Sequence, residues 1–132
     1  MTTPLQIAAF YVALNALIAL LLAMNVGRVR GATKTMFGDG GHAVLQQAIR
    51  AHGNNIEYVP FVLVMIVTLA LMQGSVIVLH VVGIMLTVGR IAHGIGLARN
   101  PGVSIGRGLG TALTYLAFLV AVVALFLKAF TF

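Results

Sequence analysis

Residues 48–72 read AIRAHGNNIEYVPFVLVMIVTLALM, a polar and charged run opening directly onto an apolar one. The apolar part, Val59 to Met72, is 14 residues long, and as a helix rising 1.5 Å per residue it spans only about 21 Å. Crossing a hydrocarbon core of about 30 Å takes about 20 residues. The segment therefore crosses only if its helix continues back through Glu57, Asn54 and Arg50, and we place that helix at about residues 43–72.

The rest of the chain agrees. Of its 132 residues 61% are hydrophobic and 8% charged, against roughly 25% charged in an ordinary soluble domain; the mean hydropathy is +1.09. This excludes a soluble globular protein and leaves room for four spans in one domain, residues 1–132. Glycines and polar residues mark the breaks: GDGG at 38–41, QGS at 73–75 and ARNPGVSIGRG at 98–108. The expected helices are about 5–26, 43–72, 76–97 and 109–130, with Ser104 available to cap the last. The fold class is an all-α, integral membrane four-helix bundle. No basic residue precedes the first stretch and its apolar region is long, so it reads as a retained helix rather than a cleaved signal. Small residues at helical spacing, such as Ala9 with Ala13 and Ala19 with Ala23, allow close helix approach.

Charge sets the orientation. Seven of the eight Lys and Arg residues, Arg28, Arg30, Lys34, Arg50, Arg90, Arg99 and Arg107, lie in or beside the first and third connections. By the positive-inside rule those connections are cytoplasmic and both termini lie outside. Cations gathered at one membrane face, with no aromatic interleaving, argue for lipid headgroups or a small anion rather than nucleic acid. Without cysteine there is no disulfide and no thiolate of the chain's own.

Helix 3 repeats the shortness of helix 2: Val76 to Gly89 is 14 residues, and Arg90 follows. Glu57 lies 16 residues below Gln73 and Arg90 lies 14 below Val76, which matches their depths to within roughly 3 Å. A charge at such a depth must be paired or face a wet cavity, so Glu57 and Arg90 are expected to meet between helices 2 and 3. Arg50, Asn54 and Glu57, spaced i, i+4, i+7, form one stripe about two turns long. Such a stripe either holds helices together or receives a ligand. Cations outnumber anions there, since Arg28, Arg30, Arg50 and Arg107 converge with only Asp39 besides Glu57. The planar fork of arginine suits carboxylates and phosphates, so a small polyanion would balance the set.

RAHGNNIEYVP, Arg50 to Pro60, resembles the helix 2 signature of the MAPEG family, the membrane-associated proteins of eicosanoid and glutathione metabolism. GRIAHGIGL at 89–97 is similar to the end of that family's helix 3, and GDGG before a helix is similar to its small bacterial branch. The resemblance covers nearly the whole chain. It implies a homotrimer with glutathione, as co-substrate, bound between neighbouring protomers near the cytoplasmic face. It further implies that Arg50, Asn54, Glu57 and Tyr58 contact glutathione from helix 2 and that Arg28 holds one of its carboxylates. Arg90 would serve the pocket directly or through Glu57, His93 would line it, and Arg107 would stand beside the sulfur as the catalytic arginine. Where some members carry a tyrosine, seven residues after Arg90, this chain has Leu97.

The implied chemistry is glutathione transfer or peroxide reduction on lipophilic electrophiles, in a bacterial inner membrane. A thiol with a pKa near 8.5 is mostly protonated at neutral pH, and a fixed guanidinium favours the reactive thiolate. Positioning and electrostatics would do the rest. Two rival classes are a small proton-coupled multidrug exporter, which would place its acid in helix 1 rather than among arginines on helix 2, and a non-enzymatic scaffold held together by the polar stripe.

Remaining polar residues have plainer readings. His52 faces away from Arg50 and suits a headgroup contact, and His80, near the outer end of helix 3, suits packing. His42 and His93 form no metal pattern, so no metal is expected. GDGG lacks the lysine, hydroxyl residue and preceding strand of a phosphate loop, and reads as a turn. Tyr115, two turns beyond Arg107, is the aromatic whose hydroxyl can face the same cavity.

Overall fold

The computed structural model describes residues 3–99 and 102–130, which form four helices: α1 Pro4–Thr33, α2 Ala43–Leu71, α3 Val76–Arg99 and α4 Ile105–Ala129. Each is long and apolar enough to cross a membrane. The architecture is the expected all-helical bundle, with no strand among the described residues.

Capping explains where the helices begin. Thr3 accepts from the Gln6 amide at 3.2 Å while the Gln6 side chain accepts from the Thr3 amide at 2.8 Å, with Pro4 in the first helical turn. This reciprocal pair satisfies two amides that the helix leaves open. α1 then runs to Thr33, two turns beyond the expected end at residue 26. Hydropathy falls after Val26, but a helix needs only its backbone bonds to continue, so Arg28 and Arg30 ride on α1 rather than in a loop. Lys34, in the left-handed region at φ 52°, ends it. Arg30 folds over the following turn, donating to the carbonyls of Thr35, Met36 and Gly38. α4 likewise starts at Ile105, a turn before the expected residue 109, because Ser104 caps it by accepting from the Arg107 amide at 3.3 Å.

α2 and α3 are joined by a tight hairpin in which the Gly74 amide donates to the Leu69 carbonyl at 2.7 Å. A Cβ on Gly74 would lie 2.8 Å from that carbonyl oxygen, so only glycine fits. The α1–α2 and α3–α4 pairs make the most extensive contacts, α2 and α3 meet in the middle, and α1 and α4 make none among the described residues. At the α3–α4 seam the backbones themselves touch: a Cβ on Gly96 would lie 2.7 Å from the Arg107 nitrogen, and one on Gly110 2.6 Å from the Gly89 oxygen.

The core lies toward the hairpin end of the bundle. Ile7, Ala8 and Tyr11 of α1 pack against Val59, Val62, Ile66 and Leu69 of α2, Leu79, Val82 and Leu86 of α3, and Ala117 and Ala121 of α4. Toward the other, basic end the buried apolar cluster shrinks to Val29, Leu45 and Ala48. In lipid the association of such helices rests on close packing and interhelical hydrogen bonds rather than on leaving water. A buried latch supplies the latter: Asn15 donates to the Tyr11 carbonyl and the Thr87 hydroxyl, both at 2.9 Å, and the Tyr11 hydroxyl meets His80 Nδ1 at 3.0 Å. His80 thus serves α1–α3 packing.

Candidate functional site

At the basic end, where the apolar core runs out, a cavity of about 220 Å³ opens between α2, α3 and the start of α4. α2 contributes Gln46, Gln47, Arg50 and Asn54, α3 contributes His93 and Leu97, and α4 contributes Arg107. The α2 residues recur at three- and four-residue spacing, the period that puts side chains on one helical face. Arg50 and Asn54 belong to the expected stripe; Gln46 and Gln47 extend it one turn toward the helix start and escaped the sequence reading. Their signal was the same spacing, obscured because uncharged amides near a helix end look like ordinary interfacial residues. Gln47 donates to the Leu97 carbonyl at 2.7 Å and ties α2 to α3.

Arg107 is held by its neighbours. Ser104 accepts from its backbone amide and donates to the Gly96 carbonyl at 3.3 Å, and the guanidinium donates to the Gly102 carbonyl. The first turn of a helix carries partial positive charge that disfavours a cation. A guanidinium fixed there adds its field to that of the free amides, and both favour an anion in the cavity.

Arg90 stands behind the cavity, with only 2% of its surface exposed. Its Nη1 donates to the Asn54 carbonyl at 3.3 Å and to Asn54 Oδ1 at 3.0 Å, while its Nε is buried without a partner. The contact orients Asn54, which lines the cavity. It also corrects the expected Glu57–Arg90 pair. Matching depths fix height but not direction, and the Arg90 side chain finds Asn54, three residues nearer the start of α2. Glu57 instead lies 3.8 Å from Arg50, with side chains 50% and 64% exposed.

Other expected site residues lie apart from this cavity. Arg28 is exposed on α1 and donates to Asn25 Oδ1 at 2.9 Å. Tyr58 turns toward α4, where its hydroxyl meets that of Tyr115 at 3.2 Å. Tyr115 in turn lines a second cavity of about 480 Å³ with His93 and Arg107, rather than the cavity of Arg50 and Asn54. Leu97, 6% exposed, lines the first cavity and gives it an apolar wall where a tyrosine would give a hydroxyl. The first cavity is therefore cationic, with no carboxylate among its lining residues, and presents guanidinium and amide donors to whatever enters.

The sequence profile of the MAPEG family matches residues 8–127. The inner membrane protein YecN of Escherichia coli strain K12 is 33% identical to this chain over 119 residues, covering 90% of this chain and 89% of YecN. YecN of Escherichia coli O6:H1 is similar to the same extent. No solved structure matches.

Proposed function

The chain belongs to the MAPEG family, and on that premise we propose that it is an inner-membrane enzyme that binds glutathione at the basic end and transfers its thiol to lipophilic electrophiles, or uses it to reduce them. The observation that carries this reading is the cavity shared by Arg50, Asn54, His93 and Arg107, cationic and free of carboxylates. Glutathione brings two carboxylates, an ammonium group and a thiol. The arginines suit its carboxylates and Glu57 its ammonium group.

A second copy of the chain completes the site. At about 220 Å³ the cavity is smaller than the roughly 300 Å³ at which ligand pockets begin. Beside it Arg50 and Glu57 stand half exposed on a membrane-spanning helix, where unshielded charge is costly in lipid. A homotrimer, with Arg28 of one protomer reaching the cavity of the next, covers this pair and supplies the missing wall. Arg107, in the first turn of α4, is the residue that would hold the thiolate. His93 and Asn54, oriented by Arg90, would fix the peptide.

Saturable glutathione binding to the purified protein in detergent, followed by calorimetry, tests the reading. Arg50→Ala and Glu57→Gln should each abolish it, and undiminished binding in both would overturn the site. Mass detection of a thioether with a generic aryl halide, lost in Arg107→Ala, tests the chemistry. A scaffold held together by the polar stripe, or an exporter, would show neither.

A further inference from the structure

Arg90 is a charge placed where a charge is costly. It follows Val76 by 14 residues, about 21 Å along α3, which is within the depth of a hydrocarbon core of about 30 Å, and its side chain is buried. A cation in such a place needs an anion beside it. The chain has two acidic side chains in all, Asp39 and Glu57. Asp39 accepts from the Gly41 amide at 3.0 Å in the loop before α2, and Glu57 lies half exposed beside Arg50. Asn54 gives Arg90 two acceptor oxygens but no negative charge. Burial closes Arg90 equally to a carboxylate from a second copy of the chain.

The next residue on α2 has a matching need. Asn55 is buried on the inward stripe of Ala48, Ala51, Val59 and Val62, yet both ends of its amide lack a partner. Because Arg90 grips Asn54, Asn55 differs from it in level by one residue's rise, about 1.5 Å. The unpartnered Arg90 Nε and Asn55 Nδ2 are both donors. Buried polar groups left open in this way point to a water or an ion that fills them. Water would answer the donors and leave the charge, whereas an anion answers both. One guanidinium asks for one negative charge, and enclosure between packed helices favours an ion without bulk. The way in is the cavity of about 220 Å³ lined by Asn54 and His93, the first held by Arg90 and the second one turn beyond it on α3.

We propose that Arg90 and Asn55 form a site for a single halide ion, chloride in the cell, bound by Arg90 Nε–H and the Asn55 NH2 inside the bundle, with a water that enters alongside donating to Asn55 Oδ1. The site is distinct from the cavity of Arg50 and Arg107 and does not rest on the glutathione reading. The ion turns a lone buried charge into a neutral pair and joins α3 to α2 at the level where the apolar core gives out.

Thermal unfolding of the full-length protein in detergent, without glutathione, tests the inference as gluconate, too bulky for the site, is exchanged for chloride or bromide at constant ionic strength. The unfolding temperature should rise saturably with either halide, because a ligand held only by the folded state stabilises it. Asn55→Asp puts a carboxylate beside Arg90 in the ion's stead. In gluconate this variant should unfold at a higher temperature than the unsubstituted protein, and its chloride affinity, read from the line width of the chloride NMR signal, should fall about tenfold or more, as expected for losing a hydrogen bond to a charged group. Asn55→Leu removes the donor without adding charge, should weaken chloride binding by several-fold, and decides the matter if the carboxylate variant does not fold. Identical unfolding in halide and gluconate would overturn the site and leave both side chains to buried water. A halide effect of undiminished size in the Asn55 variants would overturn it as well, by placing the ion on the exposed arginines.

Discussion

The two ends of this bundle are built on opposite terms. Toward the hairpin, side chains from all four helices close on one another and α1 is tied to α3 by Asn15, Tyr11, His80 and Thr87 bonding in sequence, with only the Asn15 Oδ1 of this latch buried without a partner. Toward the basic end the apolar cluster shrinks to three residues, and Arg90 keeps a buried nitrogen without a partner. A donor left unpaired inside a protein costs roughly 1–3 kcal/mol. The hairpin end thus carries the packing that lets the basic end remain open and cationic. On the proposed reading, stability and recognition fall to different halves of the same helices.

That division can be broken by experiment. The largest effect is expected from Leu86→Ala, in the hairpin-end core at 0% exposure: a loss of about 2–5 kcal/mol of stability, read as thermal unfolding in detergent, with glutathione affinity retained by the folded fraction. Arg50→Ala should do the reverse, raising the glutathione dissociation constant at least tenfold, as for a charged hydrogen bond of about 1.5–3 kcal/mol, while the unfolding temperature stays put. Asn15→Leu, which removes the latch, should cost about 0.6–1.7 kcal/mol of stability and leave calorimetric glutathione binding intact. The smallest change belongs to Gln47→Leu. Losing its bond to the Leu97 carbonyl should weaken glutathione binding by several-fold, about 1 kcal/mol. A hairpin-end variant that abolished binding in well-folded protein would show that the halves are coupled.

Much of this was legible before any coordinates. The apolar runs, the QGS hairpin and the capping Ser104 located four helices, because in lipid a span must satisfy its own backbone and has little freedom to be anything else. Spacing alone placed Arg50 and Asn54 on one face, whereas Arg107 was expected in or beside the third connection and lies in the first turn of α4 because the helix starts at Ile105. The far end of α1 was harder to read, since the helix outlasts its hydropathy by two turns. The Glu57–Arg90 pairing failed for a related reason: a residue count gives depth, whereas the partner is chosen by rotation about the axis and by the reach of a long side chain. The Tyr58–Tyr115 contact joins residues 57 positions apart on helices whose relative rotation no local pattern records. The close approach of Gly110 to Gly89 was hidden similarly, because a glycine in an apolar helix looks alike whether it faces lipid or another backbone.

The pairing of helices bears on how such a chain is made. α1 packs most extensively on α2, α3 does so on α4, and the first and last helices make no contact with each other. Contacts between neighbours in the chain form fast because little loop entropy stands in their way. A ribosome feeding this sequence into a bilayer would therefore release two consecutive pairs, each able to fasten on its own, and the α1–α3, α2–α3 and α2–α4 contacts would then join one pair to the other.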